Sequence, residues 1–232
     1  FYQKFDDQIL LCCKKSKFSL RAPQKITSKY YIKNPQENIK KYRSDTTASV
    51  QHELTDRHLT TYFAYGENTR LHKFFESFDY LRLEKQYSQF CSLDISKCFD
   101  SIYTHSIAWA IKTKEYTKRH IGIDGVFGDI FDQIMRCSNY NETAGIPIGP
   151  EVSRIFAEII FQEIDERVEK RLQVSGLKID IDYSMRRYVD DFFIFTNSDL
   201  ISNQITQAVE AECKAYKLNI NEAKSLKAER PF

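Results

Sequence analysis

The chain has 232 residues, 42% of them hydrophobic, and a formal net charge of +2. That excludes a disordered polypeptide and supplies apolar mass for one large domain or two joined subdomains. No apolar run approaches the ~20 residues needed to cross a bilayer and no charged-then-apolar leader is present, so a cytoplasmic location without membrane association is expected.

In chain order, residues 1–90 read as mostly helical and loop-like. Between Lys14 and Arg43 lie ten basic residues and one acidic residue, Glu37, a local charge of +9 that leaves −7 for the remainder. Phe18, Tyr30, Tyr31 and Tyr42 are interleaved with these cations. The mixture suits a surface that tracks a phosphate backbone and stacks bases, and equally a solvated lysine-rich loop. From Asp56 onward Leu59, Tyr62, Phe63, Leu71, Phe74, Phe75 and Phe78 recur near helical spacing. Phe90 to Ile95 reads as a buried strand with Asp94 at its end, and a helix is expected from near Thr104. Gly149-Pro150 marks a helix start, because proline fits the first turn. The apolar stripe from Val152 to Leu172 then predicts a long amphipathic helix, with Glu151, Glu158, Glu163, Asp165, Glu166 and Glu169 as its polar side. A hairpin around residues 185–195 follows, then a helix from Ser198-Asp199 with Ile201, Ile205, Val209, Cys213 and Tyr216 on one face, and a last strand after Lys224. The six cysteines (Cys12, Cys13, Cys91, Cys98, Cys137 and Cys213) lack C-x-x-C spacing and read as reduced thiols rather than zinc ligands. His52, His58 and His105 read as structural or surface residues.

This order predicts an α+β fold, an antiparallel sheet with helices on one face and carboxylates gathered at one end. Asp190 and Asp191 interrupt the apolar run Met185 to Phe195. Two like charges about 4 Å apart repel by about 4 kcal/mol at an effective dielectric near 20, and partial burial adds to the cost unless cations compensate. Hard oxygen ligands in a hairpin suit Mg²⁺, which takes its other contacts from water and substrate phosphates. Asp94 at a strand end together with this pair meets the demand of two-metal nucleotidyl transfer for carboxylates from different elements. Taken singly, each feature has a plainer reading: Tyr188-Val189-Asp190-Asp191 as a turn, Phe99 as core, the glycines of 145–149 as a turn before a helix, and Lys224 as a solvated lysine.

Together the segments resemble reverse transcriptases. Leu93-Asp94-Ile95-Ser96-Lys97-Cys98-Phe99-Asp100 is similar to motif A, Gly145-Ile146-Pro147-Ile148-Gly149-Pro150 with Ser153 to motif B, Tyr188-Val189-Asp190-Asp191 to motif C, and Leu218-Asn219-Ile220-Asn221 with Lys224 to motif D. Phe18-Ser19-Leu20-Arg21-Ala22-Pro23 resembles a fingers motif. The resemblance implies a right-hand polymerase palm over residues 91–232 and an incomplete, mostly helical fingers region over residues 1–90, with the thumb and a C-terminal helical region absent. It implies Asp94, Asp190 and Asp191 as catalytic metal ligands with the Ile95 carbonyl, holding Mg²⁺ or Mn²⁺ as a substitute. Phe99 would lie under the sugar and exclude a 2′-hydroxyl, Gly149 would let the backbone approach the nucleotide, and Lys224 and Arg21 would contact phosphates. Tyr103 to Trp109, the segment Gly145 to Ile155 and Ala157-Glu158 resemble the abortive-infection and other phage-defence enzymes of bacteria. Group II intron and retron enzymes usually carry Gln where Ile148 stands and Ser-Pro where this chain has Ser153-Arg154. The defence resemblance implies deoxynucleoside triphosphates as substrates, DNA as product, untemplated or protein-primed synthesis, and self-association of the full-length protein. An RNA-templated enzyme of intron or retron type, and a palm kept only to bind nucleic acid or protein, are the alternatives.

Overall fold

A computed structural model describes residues 1–27, 61–66, 68, 70–119 and 127–232. Most of the basic and aromatic stretch, including Tyr30, Tyr31, Tyr42, Lys29, Lys33, Lys40, Lys41 and Arg43, lies outside the described residues, as do His52, His58 and Leu59.

Alternating apolar segments pair into a four-stranded antiparallel sheet. Its strands are β3 (Gln89–Leu93), β4 (Tyr183–Tyr188), β5 (Asp191–Thr196) and β6 (Leu226–Glu229), in the order β4-β5-β3-β6. The register follows from burial on both faces, since a one-residue slip would reverse every side chain. Leu93 pairs with Phe192 and Gln89 with Thr196, while β4 and β5 close on a Tyr188–Asp191 pair. Before the sheet come α1 (Tyr2–Cys12) and the two-stranded ribbon of β1 (Pro23–Ile26) and β2 (Phe63–Tyr65). Two short helices follow, α2 (Leu71–Phe75) and α3 (Phe78–Gln86). The Ser77 hydroxyl accepts a hydrogen bond from the Tyr80 amide at 3.2 Å and so starts α3. Phe63 therefore opens a strand with Tyr62 just before it, and neither belongs to the helical periodicity expected there. A short apolar run serves either element, and pairing with β1 decides it.

After β3 the chain forms α4 (Cys98–Ser101), α5 (Ser106–Lys112), α6 (Lys114–Arg119) and α7 (Phe127–Cys137), then α8 (Glu151–Val174), whose N-cap is Pro150. The helix expected near Thr104 starts at Ser106. α9 (Asp199–Ala215) precedes β6, and Ile205, Val209, Cys213 and Tyr216 of the expected face are buried. Phe192, Ile194, Cys91 and Leu93 join the core built around α8, which buries Ile155, Phe156, Ile159, Ile160 and Ile164. On the other face Phe90, Phe193 and Phe195 form a smaller cluster with Phe74, Tyr80 and Leu83 from α2 and α3. All six cysteines are free, five of them buried and Cys137 exposed. Among the described residues no helix is long and apolar enough to cross a membrane.

Two expectations change with burial. Phe18 is 1% exposed and packs in the core, so it is no stacking platform. Glu158 and Asp165 are buried rather than on a polar helix side, because α8 is enclosed nearly all round.

Candidate active site

The carboxylates meet where strand pairing brings their elements together. Asp94 lies one residue beyond the Leu93–Phe192 pair, next to Asp191 at the start of β5, and adjacent strands run about 5 Å apart. Asp190 is the second residue of the two-residue turn. The first, Val189, has φ 59°, a rare conformation for a β-branched side chain that a tight hairpin imposes. Burial, followed by the Asp94 charge, pushes Asp190 above the usual carboxylate range. Burial, then Asp190 and Asp94, pushes Asp191 up to about 6, with Lys224 pulling the other way.

The segment after α9 closes one side. Ile95 bridges Ile220, the Ser96 amide donates to the Asn219 carbonyl at 2.8 Å, and the Asn221 amide donates to the Asp94 carbonyl at 2.8 Å. The Asn221 side-chain amide reaches Asp94 Oδ2 at 3.1 Å and Lys224 Nζ reaches it at 3.3 Å, although the Lys224 side chain is 67% exposed. The other side is the turn before α8. The Gly145 amide donates to the Ile102 carbonyl at 2.9 Å and the Ile146 amide to the Phe99 carbonyl at 2.9 Å. A Cβ on Gly145, whose φ is 85°, would stand 3.2 Å from the Asp100 carbonyl oxygen, so this docking requires glycine. Gly149 has φ 113° with open space where a Cβ would stand, so backbone conformation alone calls for glycine there.

Between these walls lies an open cleft of about 450 Å³, lined by Asp94, Ile95, Phe99, Ile148, Asp190 and Lys224 among others. Of the expected site residues, Asp94, Ile95, Phe99, Asp190 and Lys224 line this cleft, whereas Gly149 and Asp191 do not, although Asp191 feels the charge of both other aspartates. Ile148 presents a 73% exposed apolar side chain here. Arg21 sits in a neighbouring hollow with Tyr65, Arg154 and Val189. It donates to the Tyr188 hydroxyl at 3.0 Å and lies 5.7 Å from the ring centres of Tyr65 and Tyr188.

Carboxylates beside a backbone carbonyl suit a hard divalent cation, which would offset the burial and mutual repulsion that raise Asp190 and Asp191. Among the described residues no three His, Cys, Asp or Glu side chains converge into a ready-made cage. Asp94 Oδ2 is instead engaged by Asn221 and Lys224. That accords with a Mg²⁺-type site, which draws ligands from water and phosphate.

Sequence reasoning passed over Arg187, which is fully buried beneath the turn between Glu158 and Asp165. Burial pushes Asp165 up to about 6 against the pull of Arg187. Glu158, Gln162 and Asp165 stand at i, i+4 and i+7 of α8 and so share one face, a spacing that by itself reads as a solvated helix side.

The reverse transcriptase (RNA-dependent DNA polymerase) family pattern matches residues 13–232. No curated protein matches the sequence. The apo telomerase of Candida tropicalis truncated from its C-terminal domain is similar over 100% of this chain and 42% of its own, with 13% identity and a TM-score of 0.50. The telomerase of Candida albicans in complex with a TWJ fragment of telomeric RNA is similar over 66% of this chain and 30% of its own, with 16% identity and a TM-score of 0.44. This chain therefore spans less than half the length of either telomerase, and the first likeness is one of fold. With a family match over nearly its whole length and a mixed fold with antiparallel sheets that places the motif aspartates at one sheet end, the chain belongs to the reverse transcriptases.

Proposed function

We propose that this chain is the fingers (1–90) and palm (91–232) of a DNA polymerase that joins deoxynucleoside triphosphates by nucleotidyl transfer, of the bacterial defence type, working without a free template strand. The observation that carries the catalytic part is the meeting of Asp94, Asp190 and Asp191 at one sheet end, with Asp94 and Asp190 lining an open cleft. Asp94, Asp190, Asp191 and the Ile95 carbonyl would hold Mg²⁺, with Mn²⁺ as a substitute. The bound cation would neutralise the carboxylates and polarise the reacting phosphate and hydroxyl oxygens. Lys224 is the chain's own counter-ion to Asp94. Its long exposed stem lets the ammonium turn to a triphosphate when Asp94 takes a ligand. Phe99 supplies the floor that excludes a 2′-hydroxyl, Gly149 the open approach to the primer end, and Arg21 a phosphate contact across the hairpin. Because the reaction spreads charge over phosphate oxygens, position and charge supply most of the rate.

The untemplated mode is supported by Ile148, an exposed apolar side chain in the cleft where intron and retron enzymes usually carry Gln. An apolar group there offers packing and no hydrogen bond to a base. The RNA-templated reading is favoured by the family description itself. Full-length self-association and a bacterial cytoplasmic setting belong to the proposal through the defence resemblance. Incorporation of labelled deoxynucleotides, with and without RNA template, separates the readings. Mg²⁺-dependent product without template, lost in Asp190→Ala/Asp191→Ala, is the expected result. Product only with template makes the enzyme intron-like, and none under either condition leaves a binding module.

A further inference from the structure

Arg187 stands two residues before the Val189-Asp190 turn and has no contact with solvent. Its Nε donates to Asp165 Oδ1 at 3.1 Å and Oδ2 at 3.0 Å, and its Nη2 to Asp165 Oδ2 at 2.8 Å and Glu158 Oε1 at 3.1 Å. Its Nη1 donates to Glu158 Oε2 at 3.0 Å and to the Val189 carbonyl at 2.8 Å. The guanidinium is thus fixed by two carboxylates on α8, and its remaining bond grips the residue whose φ of 59° is strained. Such backbone persists only where its surroundings over-determine it. The network continues: Gln162 Nε2 donates to Glu158 Oε1 at 2.8 Å, and Gln162 Oε1 accepts from the Ser16 amide at 2.7 Å. The Arg187 amide donates to the Phe18 carbonyl at 2.7 Å, and the Leu20 amide to the Arg187 carbonyl at 2.8 Å. Arg187 therefore ties α8 to the turn through its side chain and the segment leading to Arg21 to β4 through its backbone.

A buried ion cluster is weak evidence for stability, because apolar residues of similar volume often serve as well. Its directional bonds are what an apolar substitute cannot reproduce. We propose that Arg187 is a positioning residue: held by Glu158 and Asp165, it fixes the Val189–Asp190 turn, sets where the Asp190 carboxylate stands in the cleft, and keys the 16–20 segment to that turn. This rests on the nucleotidyl-transfer reading. Lysine, with a single compact head, cannot reproduce the fork.

The test compares wild type with Arg187→Lys and with the triple variant Arg187→Met/Glu158→Gln/Asp165→Leu, which removes the ions and keeps an acceptor for Gln162. The measurements are kcat and KM for deoxynucleotide incorporation per active site, the thermal midpoint, and Mn²⁺ affinity by paramagnetic resonance. A displacement of about 1 Å at a reacting group costs on the order of 100-fold in rate. The expected result is a kcat loss of that order in both variants with KM unchanged, while the triple variant keeps the wild-type midpoint. A purely structural role predicts the reverse: the triple variant restores kcat, and that result overturns the proposal. If wild type incorporates no nucleotide, the polymerase reading fails, and Mn²⁺ affinity decides the positioning claim. A loss of about 10-fold in the triple variant upholds it, since partners that orient metal ligands are worth that much. Equal affinity, or no Mn²⁺ binding by wild type, overturns it.

Discussion

At the scale of single residues, burial and two neighbouring carboxylates hold Asp191 at about 6, so its ionised form works against folding when no cation is bound. Removing that charge in Asp191→Asn is expected to raise stability in chelator by about 1 kcal/mol, after allowance for screening of a half-exposed group. For a chain of this size that is a midpoint rise of about 2–4 °C by calorimetry, accompanied by loss of nucleotide incorporation. An unchanged or lower midpoint would mean that the repulsion is already relieved within the protein. The three aspartates were legible in the sequence because charge in an apolar strand is conspicuous. Arg187 was not, since Arg186 and Arg187 are adjacent in β4 and alternation alone does not say which one turns inward. The structure sends Arg186 to Asp79 on α3 and buries Arg187. Glu158 and Asp165 were concealed by the usual rule that helix charges face water, which fails once a helix is enclosed.

At the scale of elements, α3 is tied to β4 by Arg186, whose Nε and Nη2 donate to Asp79 at 2.9 and 3.2 Å. Burial pushes the Asp79 carboxyl up, but the bonds and charges of Arg186 and Arg82 outweigh it and hold the group below the ordinary 3.8. A depressed carboxyl stabilises the fold above that value and loses the contribution as pH falls through the lowered one. Asp79→Asn is therefore expected to cost about 1 kcal/mol near pH 7, with the difference from wild type closing in acid below pH 3.8. Urea titrations across that range check it, and a gap independent of pH would contradict it. The turn before α8 carries a second expectation. Gly149→Ala meets no clash, yet it must hold φ 113°, at a cost of about 1–3 kcal/mol. Refolding into another turn would displace Ile148, so nucleotide KM should rise along with the loss of stability. Strand β3, the hairpin, α8 and α9 were legible from period and turn residues. β2 was not, because three residues between turns carry no period and acquire their state from β1.

At the scale of the whole molecule, folding gathers three aspartates at one sheet end, where a bound cation would offset their repulsion. Binding of Mg²⁺ to the folded state alone should stabilise it by about 2.7 kcal/mol at one hundred times the dissociation constant. A thermal shift with Mg²⁺ that vanishes in Asp94→Asn/Asp190→Asn is the expected outcome, and an equal shift in both proteins would place the cation elsewhere. The overall architecture was readable because the motif order fixes which elements must be neighbours, whereas the two-sided covering of the sheet depends on aromatic residues of α2 and α3 whose partner strands lie far away in sequence. The most direct measurement is diffraction at the manganese edge from crystals grown with Mn²⁺ and a deoxynucleoside triphosphate. The expected result is manganese bounded by the Asp94 and Asp190 carboxylates, beside Asp191, with Lys224 turned from Asp94 toward phosphate. Manganese absent from this cleft, with Lys224 still on Asp94 and triphosphate bound elsewhere, would contradict it.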